Sequence, residues 1–324
     1  MTAGPGALAA ALGELPLCVE TVEVRRRAVP ASDYPGGARP SSVVRLGGRG
    51  HVGTGENVAF TDDEHARFAA RAANLLPAGA FTNGAWRGQA GALVGADAQG
   101  HERAALEAAL LDLALRQAHT TLAALAGGAG ASLRVVLSFA ARPDPAAHVR
   151  QLRAAGRAEE LKIDVDPAWD AAARAALARE PGVAVLDFKG RGDPGLVAAL
   201  SPLFPEALFE DPPPGAAHVR VARDAPLGDA AAVGAALARG EAVNLKAPRM
   251  GGPLEVLRAL ERARRAGPTA IAYLGGMFEV DVGRTQARQL AALFCPDGPN
   301  DLAPLQGAGG TRRLAVRLDT PGFG

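Results

Sequence analysis

The chain has 324 residues, 48% of them hydrophobic and only 4% aromatic, so two domains, or one large barrel with an appendage, can be built around Ala, Leu and Val. Lys and Arg number 35 against 34 Asp and Glu, and this balance leaves no basic surface for nucleic acid or an acidic membrane. No apolar run approaches the ~20 residues of a membrane span, residues 1–17 lack a basic leader region, and Cys18 and Cys295 show no CxxC spacing, so the expectation is a soluble, cytoplasmic protein with reduced thiols.

In chain order, residues 22–26, 42–46 and 52–60 read as strands, with a Pro- and Gly-rich loop at 31–40. Two helical patterns follow, the second over 101–119, where Asp112 and Arg116 share an i,i+4 diagonal. Strands followed by helices make a small α+β domain, assigned to residues 1–130. From about residue 133 the rhythm changes. Short β-rich runs at 133–139, 161–165, 183–188, 207–209, 218–222, 242–245 and 270–274 alternate with helices such as 167–179, 229–239 and 253–266. Repeated βα units mean a parallel sheet, assigned to 131–311, with an eighth strand placed loosely near 300–304. Residues 312–324 are read as a strand or tail returning to the first domain.

Periodicity does not separate an open sheet from a barrel, but charge placement does. Lys162 and Asp164, Asp187 and Lys189, Glu210, Asp224 and Lys246 stand at the C-terminal ends of five consecutive strands. An open sheet concentrates its site at one switch point, whereas a barrel gathers every strand end around one mouth. The prediction is therefore an α/β protein, a (β/α)7β-type TIM barrel behind an N-terminal capping domain. Glu210 and Asp224 are 14 positions apart across a Pro-rich link, too close for a normal crossover helix, so the helix between barrel strands four and five should be reduced or missing.

Three carboxylates at successive strand ends, Asp187, Glu210 and Asp224, can meet on one hard cation, and Mg²⁺ (or Mn²⁺) takes such oxygen ligands. The plainer alternative is that each is a helix cap or a solvated acid. Lys162 and Asp164 face one side of their strand and Lys246 stands across the barrel. A lysine beside a cation loses basicity, which suits a proton-abstracting base, and a mouth salt bridge is the competing reading. Arg284 and Arg288, at i,i+4 spacing, are read either as an anion site or as surface charges.

The ordered set resembles the enolase superfamily, in its muconate cycloisomerase and o-succinylbenzoate synthase-like branch. Gly53-Thr54-Gly55-Glu56 looks like the capping-domain GxGE signature. Leu161 to Asp164 matches the second-strand lysine motif in part; Asp187, Glu210 and Asp224 match the metal-ligand positions; and Asn244 to Gly252, with Lys246 and Arg249, matches the sixth-strand motif closely. Gly275 to Glu279 looks like the seventh-strand segment. The resemblance implies a Mg²⁺-dependent lyase or isomerase that takes the α-proton of a small carboxylate and stabilises the enediolate. Lys162, Lys246, Lys189 and Asp164 would be catalytic, and Glu279, Arg249, Gly276 and Met277 would contact substrate. By the same analogy the chain would form a homo-oligomer.

Two departures stand out. The base position usually held by a second lysine is Asp164, and the position often held by Asn is Lys189. Lys189 has then either taken over acid/base duty or pairs with Asp164. These departures motivate the alternative of a non-enzymatic ligand-binding or structural homologue.

Overall fold

The structure is a computed structural model describing residues 4–30, 37–77, 79–94, 100–128, 132–216, 218–304, 310–318 and 322–324. Most of the predicted loop at 31–40 lies outside the described residues.

Three N-terminal strands, Thr21–Pro30, Ala38–Gly48 and His51–Asn57, form an antiparallel meander. One face lies on the long helix Gly100–Gln117, where Gly53 and Gly55 let the strand approach closely. A Cβ at Gly55 would come within 2.1 Å of the Ala105 carbonyl oxygen, and one at Gly53 within 2.3 Å of that of Ala109. The GxG of the GxGE motif is thus a packing device. The helix Asp62–Arg71 starts at a capping box, with Thr61 and Glu64 satisfying each other's backbone N–H groups.

Seven parallel strands follow in sequence order: Val136–Phe139, Glu160–Asp164, Val183–Asp187, Leu208–Glu210, Val221–Arg223, Ala242–Leu245 and Ala272–Leu274. Parallel bridges from Asn300 to Val135 and from Asp301 to Gly275 join the first strand to the seventh through a one-step eighth, where the sequence placed it. The barrel is closed. Its helices Ala171–Ala178, Ala230–Ala238 and Pro253–Ala266 fall where periodicity puts them. Asp170 and Asp229 each accept the backbone N–H three residues on and cap their helices.

Among the described residues no helix joins the fourth strand to the fifth. Asp211, in a left-handed conformation at φ 41°, closes the gap instead. Its carboxylate accepts the backbone N–H groups of Asp224 (3.1 Å) and Ala225 (2.8 Å), tying the two strand ends directly. The barrel interior below the mouth is packed by Val185, Leu208, Ala222, Ala242 and Tyr273, small residues offsetting the ring of Tyr273.

A helix the periodicity reading passes over, Pro5–Glu14, packs Leu8 and Leu12 into the same core as Leu254, Leu257 and Leu260 of the barrel helix Pro253–Ala266. Near the other end, Arg313–Ala315 pairs antiparallel with Ser132–Arg134, and the Gly324 N–H reaches Asp112 at 2.7 Å. Cys18 and Cys295 are both free thiols. Among the described residues no helix is long and apolar enough to cross a membrane.

Candidate functional site at the barrel mouth

Register sets the problem this site has to solve. Asp164 pairs with Asp187 and Asp187 with Glu210, so three acids stand at one level on adjacent strands, facing one side. Like charges placed so are mutually repulsive, and burial multiplies the cost. The chain answers with its own cations.

Lys162, 2% exposed, sends its Nζ from the second strand between the acids. It bonds Glu210 Oε1, lies 3.2 Å from Asp187 Oδ2 and 3.9 Å from Asp301 Oδ2 on the eighth strand. Lys189, left-handed at φ 49°, folds back so that its Nζ sits 2.7 Å from Asp187 Oδ2 and 3.1 Å from Asp164 Oδ1. Of the two readings of Lys189, the structure therefore places it in the pair with Asp164. Lys246 Nζ lies 2.9 Å from Asp224 Oδ2, and Arg249 grips Asp224 through both the carboxylate and the backbone carbonyl (2.9 Å).

Glu210, fully buried, has further donors. Tyr273 donates its hydroxyl to Oε2 at 2.5 Å, and Asn244 Nδ2 lies 3.2 and 3.3 Å from the two oxygens. Asn244 and Tyr273 are register partners on strands six and seven, so one face of that pair aims both at Glu210 across the interior. Neither Tyr273 nor Asp301 stands out in the sequence, and Asn244 appears there only inside the lysine motif. A signal did exist: a polar residue two positions before Lys246 must share its inward face.

The lysine basicities follow from the acids around them. Burial alone would favour the neutral amine of Lys162, but Glu210, Asp187, Asp301 and Asp224 around it overcome that and raise its pKa well above the ordinary lysine value. For Lys189, likewise, burial pulls down and is outweighed by Asp187 and Asp164, which raise it. In neither lysine is the pKa lowered. Asp164 also moves up: burial, and after it the adjacent Asp187, lift its pKa above the ordinary aspartate value against the pull of Lys189. Burial, reinforced by Asp187 and Asp224, pushes Glu210 up to about 7.

The residues expected to contact substrate separate into two groups. Arg249 is at the mouth, its side chain 26% exposed, but holds Asp224. Glu279 is 3% exposed and turns onto its own loop, accepting the Met277 N–H at 2.8 Å, while the Gly276 N–H donates to the Asp301 carbonyl at 3.2 Å. Glu279 thus braces the seventh-strand loop. Arg284 and Arg288 turn onto the backbone around the eighth strand. Arg284 donates to the carbonyls of Glu279 (2.7 Å) and Ala303 (2.8 Å), and Arg288 to that of Leu302 (2.9 Å), so both pin the chain around the eighth strand.

Glu56, the acid of the GxGE motif, is the clasp between the N-terminal sheet and the mouth. Its carboxylate accepts the N–H groups of Val280 (3.0 Å), Asp281 (3.2 Å) and Gly283 (3.1 Å), the turn that starts the helix Val282–Phe294, and also the Ser41 hydroxyl. Above the clasp, Phe278 is 54% exposed at φ 70°, with Arg39 stacked on its ring at 4.5 Å.

As a metal centre the arrangement fails on its donor set. Among the described residues no three His, Cys, Asp or Glu side chains converge to hold an ion. Each of the expected ligands Asp187, Glu210 and Asp224 spends its oxygens on chain cations and N–H or O–H donors. These residues, as placed, do not fit Mg²⁺ or Mn²⁺.

The fold is shared with solved structures. A mandelate racemase/muconate lactonizing protein from Herpetosiphon aurantiacus superposes with a TM-score of 0.77 at 22% identity, over 95% of this chain and 98% of that one. A dipeptide epimerase from Methylococcus capsulatus, solved in complex with Mg ion, gives 0.74 at 21% identity, over 94% and 98%. A mandelate racemase/muconate lactonizing enzyme from Roseiflexus sp. gives 0.75 at 21%, over 100% and 98%. No curated protein matches the sequence. Two family models do, the N-terminal domain of a domain of unknown function (DUF8230) over residues 10–125 and its C-terminal domain over 130–306. Together they take in the N-terminal sheet and the barrel, and the chain accordingly belongs to the DUF8230 family, with the fold it shares with these solved structures.

Proposed function

We propose that the chain is an enzyme, a lyase or isomerase that removes the α-proton of a small carboxylate bound at the barrel mouth and stabilises the enediolate that results. Dehydration of the o-succinylbenzoate synthase kind, or cycloisomerisation, is the reaction type this reading favours. One observation carries it: partly exposed charges from strands two, three, five and six face a single mouth beneath the Glu56 clasp, with an acid of raised basicity, Asp164, across the barrel from Lys246. Preorganised charge of this kind, held in place before substrate arrives, is commonly the largest catalytic contribution.

In this reading Lys189 and Arg249 meet the substrate carboxylate by exchanging part of their present pairing for it. Asp164 takes the proton, and the Lys246 ammonium faces the charge that develops on the enediolate oxygens. The Mg ion belongs to the Methylococcus epimerase structure; no step here runs through one, because the donor set does not fit it.

The test is deuterium exchange. A library of α-substituted carboxylates incubated with the protein in D₂O should include at least one whose α-proton signal disappears by NMR. In Lys246→Ala that rate should fall by roughly 10²–10⁴. Absence of exchange across the library would favour the second reading, a ligand-binding or structural homologue, which the closed pairing of every mouth carboxylate supports.

A further inference from the structure

We infer that this barrel carries its own cation: the Lys162 ammonium, seconded by Lys189, replaces a divalent metal, and the protein binds its anionic ligand without one. The inference deepens the proposed function and rests on it only for the identity of the ligand, not for the absence of the metal.

Lone-pair accounting at Glu210 is the first support. A carboxylate offers about four acceptor sites. Oε1 takes Lys162 and Asn244, and Oε2 takes Tyr273 and Asn244, so the group is saturated, and it is fully buried. An ion arriving there must first displace the donors of Lys162, Asn244 and Tyr273. Asp187 is in the same condition: Oδ1 takes the Lys189 backbone N–H at 3.0 Å, and Oδ2 takes both lysine ammoniums.

Charge is the second. Lys162, Lys189, Lys246 and Arg249 face Asp164, Asp187, Glu210, Asp224 and Asp301, four cations against five acids. The cluster is within one charge of neutral without any ion. A dication placed among the acids of strands three and four would sit against the Lys162 ammonium, which already occupies the space between them. At a few ångströms, in a site this dry, that repulsion is severe.

The third is the sequence itself. Acid where the family resemblance leads one to expect a second lysine, and lysine where it leads one to expect Asn, look like two unrelated losses. In space they are one exchange, because Asp164 and Lys189 pair at 3.1 Å while Lys189 also covers Asp187. Together they move a positive charge from the second strand to the third, onto a carboxylate that a metal would need free.

The test uses Mn²⁺ as probe, on full-length protein stripped with EDTA. Paramagnetic resonance should show no saturable Mn²⁺ uptake by the wild type up to about 1 mM, and neither Mg²⁺ nor Mn²⁺ should move its melting temperature. Lys189→Asn, a change at a side chain 45% exposed and so tolerable to the fold, combined with Lys162→Gln, should gain Mn²⁺ binding at least tenfold tighter than the wild type. If the double variant does not fold, Lys189→Asn alone should show the same gain in smaller measure. Saturable wild-type uptake that disappears in Glu210→Gln overturns the inference. Deuterium exchange by the stripped protein supports both this inference and the proposed function. Exchange restored only by metal overturns this inference and leaves the function standing, whereas no exchange and no uptake leaves this inference and removes the enzyme.

Discussion

The floor and the rim of the barrel mouth are built from the same residue types and behave differently. On the floor, Lys162, Asp187, Glu210 and Tyr273 are at most 2% exposed, and every carboxylate oxygen there is met by a donor. On the rim, Asp164, Lys189, Lys246 and Arg249 keep side-chain exposures of 15, 45, 11 and 26%. A buried ion pair has no water to fall back on and is costly to break, whereas a wet one can change partner at small expense. The floor therefore specifies the fold, and the rim is free to act on a ligand. Sequence position does not reveal which is which, since Lys162 and Asp164 are two residues apart on one strand.

The largest effect should come from breaking the floor. Lys162→Met leaves Glu210 and Asp187 buried with too little positive charge, and by denaturant titration it should cost about 3–5 kcal/mol. A loss below 1 kcal/mol would mean that floor and rim are equivalent.

His101 separates burial from burial with counter-charge. It is 4% exposed, edge-on to Phe60 at 5.3 Å, and its Nδ1 has no hydrogen-bond partner among the described residues. Burial first, and Arg39 second, lower its pKa to about 4. The unfolded chain, with a pKa near 6.5, binds the proton first as pH falls, so the contribution is complete above about 6.5 and is lost towards 4, roughly 3 kcal/mol in all. The fall in stability between pH 7 and pH 4.5 should accordingly be steeper in the wild type than in His101→Gln. Equal slopes would mean that His101 takes up its proton without unfolding.

Tyr273→Phe removes one donor from the floor but no charge. It should cost about 1.5–3 kcal/mol, the range for a hydrogen bond to an ionised group, with the barrel otherwise unchanged in circular dichroism. The smallest effect belongs to the rim: Lys189→Asn should change stability by less than about 1 kcal/mol, because Asp187 keeps Lys162. A larger loss would move Lys189 to the floor.

Much of the fold was legible. Strand ends at Asp187, Glu210, Asp224 and Lys246 are where alternation and turn residues place them, and a fourth-to-fifth link without a helix among the described residues follows from its short Pro-rich sequence. The helix Pro5–Glu14 was not, because apolar residues surround it and it offers no polar face for a period to reveal. The candidate cluster was legible in most of its membership, Tyr273 and Asp301 excepted, and illegible in its pairing. Which cation meets which acid depends on register across strands, including a slip between Leu161 and Lys162, and on the eighth strand, whose single step carries Asp301. Resemblance to a metal-binding pattern identifies oxygens; only the geometry says whether they are free.

The Glu56 clasp makes the seam of the molecule observable. The amides of Val280, Asp281 and Gly283 are tied to a carboxylate carried by a different sheet, 224 or more residues earlier in the chain. Their hydrogen exchange therefore reports separation of the N-terminal sheet from the barrel, and not breathing of their own loop. Three slow amides in an otherwise irregular turn would serve as a clock for how often the mouth is uncovered, and a bound ligand that bridges the two sides would slow all three together.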